Sequence, residues 1–482
     1  MKFYFTCLFL ATVLLSAAAQ GFKVTLHTPN YSNGLAYLTY YYGKSINIED
    51  SAIISPQGVA VFERNEKLQP GIYSIVFPGK NKMCDFLVDQ EQVIHITADT
   101  SDLVNKTVVT GSKENALFQQ YQKFVSDRGA ALQAELAAFH ASTDHQDSAL
   151  HEEKYNALNR EMNAYRDGII SQHPGSMLAT LLLAMKEPAV SPKKAVTRED
   201  SVENFYYYKK HYWDGITFMD DRIIRTPFFI PKLEKYFQEV VSPAPDSIIR
   251  ESDYLLLRAR VAPEMYKFLL NWFTDEYIYP KYMGQDAVFV HLFETYHSKG
   301  VSTWLTDRQK TIIANRAYML MANLIGEQAA NLELSDSSGR LSTLYDVGAP
   351  YTVVCFWDPT CSHCREQVPE LDSMFHAKWE KEGVKIYGVL TDSKVVDQWK
   401  QFMVKNNLHS WINVYQTEEQ KKAESGANKP SFKQLYDVTQ TPTLYLLDKD
   451  KRIIAKKLTI DQLDNVLQMK ITGKPVTSVP EK

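Results

Sequence analysis

Two cysteines, Cys361 and Cys364, stand three positions apart in the stretch FWDPTCSHCREQVP, residues 356–369. That spacing serves three chemistries: metal ligation, a structural staple, or a couple that trades disulfides. A structural zinc site wants four ligands, usually from a second CxxC or a His pair, and the chain carries no such partner motif, so no metal is assigned. His363 could join the two thiols on a copper-type ion, and that alternative stays open. A staple across so short a loop adds little by loop closure. A peroxidatic PxxxTxxC site does not fit, because Asp358 rather than Thr stands three before Cys361. Disulfide exchange is the favoured reading. The order apolar strand (YTVVCFW), short turn, CxxC, helix puts Cys361 at a helix's first turn, where unpaired N–H groups and the positive dipole end favour an anion. A thiolate there has a lowered pKa and attacks disulfides; Cys364, one turn further in, resolves the mixed disulfide.

These residues match a known pattern. The domain resembles thioredoxin-fold proteins, and within them the exported TlpA/ResA-like thiol–disulfide oxidoreductases. Phe356, Trp357, Cys361 and Cys364 meet the F-W-x-x-x-C-x-x-C pattern, and Pro369 meets the family's helix-kinking proline. Thr441-Pro442-Thr443, ahead of the apolar run TLYLL, meets the cis-proline loop. The resemblance covers residues 326 to about 472. It implies that Cys361 is the nucleophile and Cys364 the resolving thiol. It also implies that Thr441 and Pro442 form a substrate-docking loop whose backbone pairs with a client strand, with Trp357 beside them. Departures exist. Thr360, after Pro359, stands where many members have Trp. Cys355 occupies the position of a frequent buried carboxylate, and its favoured reading is a small core hydrophobe rather than a third redox thiol. Ser362 and His363, between the cysteines, tune the redox poise; a His there stabilises the thiolate and makes the pair more oxidising, so the direction of exchange is open, although the resemblance favours reduction.

The rest of the chain must position this pair. Its 482 residues exceed one ordinary core, which predicts several domains. Residues 1–19 read as a signal peptide: Lys2, the apolar run from Phe3 to Leu15, then Ala17-Ala18-Ala19. That run is too short for a membrane span, and no later stretch is long and apolar enough. Residues 20–111 alternate in short runs such as LAYLTYYY and GIYSIVF, which predicts a β-sandwich of about seven strands, with Cys84 a buried thiol in one of them. Residues 112–325 switch to helical periodicity and form a helical domain of unassigned function. The His, Asp and Glu of HYWDGITFMDDR and YMGQDAVFVHLFETYH lack a helical metal-ligand spacing and are read as caps or packing. Residues 326–482 alternate strand and helix, the pattern of an α/β thioredoxin fold.

A net charge of -4 gives no electrostatic case for nucleic acid. Tyrosine clusters at 40–42 and 206–208 are read as packing in preference to a binding face. Four cysteines beyond the first twenty residues cannot form a disulfide framework. More loosely, the whole chain looks like multi-domain exported thioredoxin-like proteins of Bacteroidetes, which implies a periplasmic location. The expectation is an exported oxidoreductase without a dissociable cofactor. Its partners are protein thiols and disulfides of the envelope and a membrane or periplasmic electron donor. The leading domains would recognise a client or mediate homodimerisation. The alternative is an envelope scaffold whose thioredoxin domain serves for docking.

Overall fold

The computed structural model describes residues 21–473, so the expected signal peptide lies outside the described residues. The chain divides into two compact units. One runs to Val241 and includes Leu257–Phe268; the other comprises Ser242–Leu256 and the chain from Leu269 onward.

The first unit opens with β1 (Phe22–His27), β2 (Leu35–Tyr42), β3 (Ser45–Ile53), β4 (Val59–Arg64), β5 (Gly71–Val76), β6 (Met83–Val88), β7 (Val93–Ala98) and β8 (Thr107–Thr110). They form two four-stranded sheets, ordered β4-β1-β7-β8 and β3-β2-β5-β6. Alternation along the strands sends Val24, Leu26, Ile94 and Ile96 of one sheet and Leu38, Ile75 and Phe86 of the other into one shared core. Cys84 is in that core, and burial raises its thiol to about 11. Of the expected tyrosine clusters, Tyr40 packs on Tyr73 with ring centroids 5.9 Å apart, whereas Tyr206 is exposed.

The helices begin with α1 (Lys113–Ala141), α2 (His145–Gln172), α3 (Met177–Met185), α4 (Arg198–Lys210) and α5 (Phe229–Lys235). Ser112 caps α1, and buried Asn115 bonds the N–H and C=O of Leu87 at 2.8 and 2.7 Å, which ties α1 to β6. Then come α6 (Pro245–Ala259), α7 (Pro263–Tyr277), α8 (Asp286–Leu292) and α9 (Asp307–Met321). The two His-rich stretches are held by local partners: His211 by Asp214 at 2.6 Å, His291 by Asp253 at 2.9 Å, and His297 by Ser302 and Thr274. Burial lowers His297 to about 4, so it is neutral at physiological pH. No helix among the described residues is long and apolar enough to cross a membrane.

The second unit carries a seven-stranded sheet built from β9 (Glu333–Asp336), β10 (Leu341–Thr343), β11 (Tyr351–Trp357), β12 (Lys385–Leu390), β13 (Ile412–Tyr415), β14 (Thr443–Asp448) and β15 (Ile453–Lys456). Its order is β10-β9-β13-β12-β11-β14-β15, with β11 parallel to β12 and antiparallel to β14. Around it lie α10 (Ser362–Ala377), α11 (Val396–Lys405), α12 (Glu418–Gly426), α13 (Phe432–Leu435) and α14 (Ile460–Thr472). The run YTVVCFW is almost wholly apolar and buried from Thr352 to Trp357 because β11 is central and covered on both faces. Val353, Cys355 and Trp357 enter the core that α10 covers; Val354 and Phe356 enter the opposite core with Phe432 and Tyr436.

The helical segment read as one domain from the sequence is shared between the units. Its later helices are fastened to the α/β domain by buried charge. The Lys456 ammonium meets the Asp286 carboxylate and both oxygens of Asn323, the latter at 2.5 and 2.6 Å. Arg316 of α9 meets Asp437 at 2.5 Å.

Candidate functional site

The site grows from the register of β11 and β14. Phe356 pairs with Thr443, so the chain just before Thr443 lies beside the chain just after Trp357. The loop carrying Thr441 and Pro442 is thereby placed against the cysteine turn. The Thr441–Pro442 bond is cis, and the Cys361 thiol donates to the Thr441 carbonyl at 3.3 Å. Thr443 closes the loop by donating its hydroxyl to the Gln440 carbonyl at 2.6 Å.

The cysteine turn is equally tied down. The Asp358 carboxylate accepts from the Thr360 N–H and hydroxyl at 2.7 and 2.6 Å, an Asx-type turn that delivers the chain into α10. That carboxylate is engaged in holding the loop. Cys361 is the N-cap of α10, and its carbonyl accepts the first helical bond, from Arg365. Cys364, Val368, Leu371 and Phe375 bury one face of the helix, at the spacing of an amphipathic helix packed on a sheet. Pro369 lies inside α10, where it removes one backbone N–H from the helical ladder.

The two sulfurs differ sharply. Partial burial pushes the Cys361 thiol up, but hydrogen bonds from the Thr441 side chain, the Cys364 backbone and thiol and the His363 N–H outweigh it, leaving Cys361 below the ordinary 9.0 of a thiol. Cys364 is fully buried, and burial pushes it up to about 12 despite the Asp358 N–H, which donates to its sulfur at 3.5 Å. The pair is therefore an accessible nucleophile backed by a protonated, sheltered thiol. Iodoacetamide labelling should reach its half-maximal rate at Cys361 below the pH of an ordinary thiol and leave Cys364 unlabelled near neutrality. Equal labelling of both at neutral pH would contradict this asymmetry.

Of the residues expected at the site, Cys361, Cys364, Thr441 and Pro442 converge. Ser362 and His363 sit exposed on the first turn of α10. Trp357 needs correcting as a substrate-binding residue: it is wholly buried, its ring 5.2 Å from that of Phe402, because β11 alternation turns it inward under α10. It supports the site from beneath. Cys355 shares that inward face with Cys364, and burial, above all, keeps it protonated.

Sequence reasoning missed the buried ion pairs just before the Thr441–Pro442 loop. Asp437, buried with φ 46°, is held by Arg316 and Lys457. Next to it, the Tyr436 hydroxyl donates to the Ala330 carbonyl. The carboxyl of Asp437 is pushed up by burial, yet the two cations bring it below its ordinary range. Nothing local in the sequence could reveal Arg316, which lies 121 positions away.

Comparison with known proteins gives three family matches. Residues 325–456 match the AhpC/TSA family; residues 22–118 and 170–323 match two domains of unknown function, DUF4369 and DUF5106. Thiol-disulfide oxidoreductase ResA of Bacillus cereus is 26% identical over 151 residues, spanning 31% of this chain and 79% of that protein. Among solved structures, a thioredoxin-like protein from Bacteroides caccae is 22% identical with a TM-score of 0.45, covering 59% of this chain and 98% of its own. A domain of a possible thiol-disulfide isomerase from Cytophaga hutchinsonii is 33% identical with a TM-score of 0.27, covering 31% and 95%.

Proposed function

Through its carboxy-terminal domain this chain belongs to the TlpA/ResA-like thiol–disulfide oxidoreductases, and from that premise we propose that it is exported and reduces disulfides of envelope proteins through Cys361 and Cys364. The observation that carries the reading is the juxtaposition of Cys361, at the tip of α10 with a lowered pKa, and the Thr441–Pro442 loop.

The reaction divides between the two sulfurs. A client strand lies along the loop, pairing with the backbone of Thr441. The Cys361 thiolate attacks one client sulfur; the client S–S bond breaks, and the released cysteine leaves as a thiolate that takes up a proton. Cys364 then loses its proton and attacks Cys361, which frees the second client thiol and leaves a Cys361–Cys364 disulfide. Two electrons have passed to the client, and a dithiol partner of the envelope, membrane-bound or periplasmic, restores them by the reverse exchange. The domain's own side chains supply the nucleophile and the resolving thiol, and its backbone at Thr441 supplies the docking edge.

Export is supported by the basic, apolar and small-residue order of residues 2–19. The reductive direction rests on the overall resemblance of the domain to the TlpA/ResA-like class. Equilibration with glutathione or dithiothreitol buffers tests it. A potential near about -270 mV fits a reductant, whereas a value near about -120 mV makes the pair an oxidant and reverses the proposed direction.

A further inference from the structure

A groove of about 560 Å³ opens in the second unit beside the docking loop. One wall is the turn Tyr279–Gly284 with Arg316 of α9; the other is formed by Asp437, Thr439 and the turn at Lys456–Leu458. Thr439 is two residues from Thr441, so the groove begins within about 7 Å of chain from the backbone that meets Cys361. Lys281, Arg316, Lys456 and Lys457 line it against only two carboxylates, Asp286 and Asp437. Both carboxylates are already engaged: Asp286 by Lys456, Asp437 by Arg316 and Lys457. The Lys281 side chain is 69% exposed and lies 3.3 Å from Glu276. Two large aromatics, Tyr279 and Tyr282, are 71% and 66% exposed at the rim, and the Arg316 guanidinium lies over the Tyr279 ring at 4.9 Å. With Glu276 on Lys281 counted, four cations meet three carboxylates, and this remaining positive charge beside exposed tyrosines suits a polypeptide carrying acidic side chains.

We propose that this groove selects clients: it takes the segment flanking the reactive cysteine and favours an Asp or Glu two to four residues from that cysteine. The proposal rests on the oxidoreductase reading. A client paired in extended form with Thr441 advances about 3.3 Å per residue, so residues two to four from its cysteine reach about 7–13 Å, into the groove that begins at Thr439.

The test uses the full chain, reduced, and two disulfide-bonded peptides identical except for Glu or Lys at the third position on either side of each cysteine. A neutral small disulfide, 2,2′-dithiodipyridine, reports the redox chemistry without any flank. The wild-type chain should show kcat/KM about tenfold higher for the Glu peptide, with the preference shrinking as ionic strength rises from about 20 to about 300 mM. Lys281→Glu, a change at an exposed side chain, should bring the two peptides within about twofold of each other. Equal turnover of both peptides by wild type, with dithiodipyridine still reduced, overturns the groove and leaves the redox reading standing. A preference that survives both salt and Lys281→Glu also overturns it. Failure to reduce dithiodipyridine removes both readings.

Discussion

Cys361→Ser is expected to abolish insulin-disulfide reduction, lowering turnover by on the order of 10³-fold or more to the uncatalysed background. Serine keeps the size and the helix position but removes the group that becomes an anion near neutral pH. No neighbouring thiol can stand in. Cys364 is buried with its pKa raised to about 12, and Cys355 is buried within the β11 core, where burial raises its pKa well above that of an ordinary thiol. The loss should appear in kcat/KM while the thermal midpoint stays close to wild type, because Cys361 contributes little to the core. Wild-type and Cys361→Ser chains that turn over insulin at the same background rate would instead favour the scaffold alternative.

Asp437→Ala should have the largest effect on stability, about 3–5 kcal/mol. Its carboxylate is almost wholly buried between Arg316 and Lys457, and removing it leaves a guanidinium that cannot shed its proton facing a cavity. The carboxyl titrates below its ordinary value of 3.8 in the folded chain. Its contribution is therefore fully present above that ordinary value and is lost as pH falls through the lowered one. Denaturant unfolding at neutral pH should show the deficit, and acidification should narrow the gap between wild type and Asp437→Ala. A neutral-pH difference below about 1 kcal/mol would show that the ion pairs are too solvated to count. Since Asp437 lies four residues before Thr441, the variant should also turn over peptides more slowly at temperatures where it remains folded.

What the sequence made legible follows from how local each signal is. Cys361, Cys364 and Pro369 sit within nine residues, directly after a strand that is apolar apart from Thr352. Pro442 was legible through the resemblance, because Thr441-Pro442-Thr443 ahead of the run TLYLL meets that family's cis-proline pattern. β13 was missed: it is only four residues, half-buried, and contains Asn413, so it lacks both length and clean alternation. The short helices α12 and α13 were missed for the same want of length. The leading sandwich was legible as a class, yet it has eight strands where about seven were expected. The resemblance places Trp357 beside the reactive pair, but strand parity turns its side chain into the core under α10 rather than toward a client. The buried pairs Arg316–Asp437 and Lys456–Asp286 span 121 and 170 positions, and no local pattern announces a contact of that range.

The division of labour between the two sulfurs is tested most directly by trapping. Cys364→Ser, incubated with an oxidised client and resolved without reductant, should accumulate a mixed disulfide, because the attack proceeds and the release cannot. Peptide mapping by mass spectrometry should place the client sulfur on Cys361. An adduct on Cys355 or Cys84, or no adduct while the client is still reduced, would contradict the account.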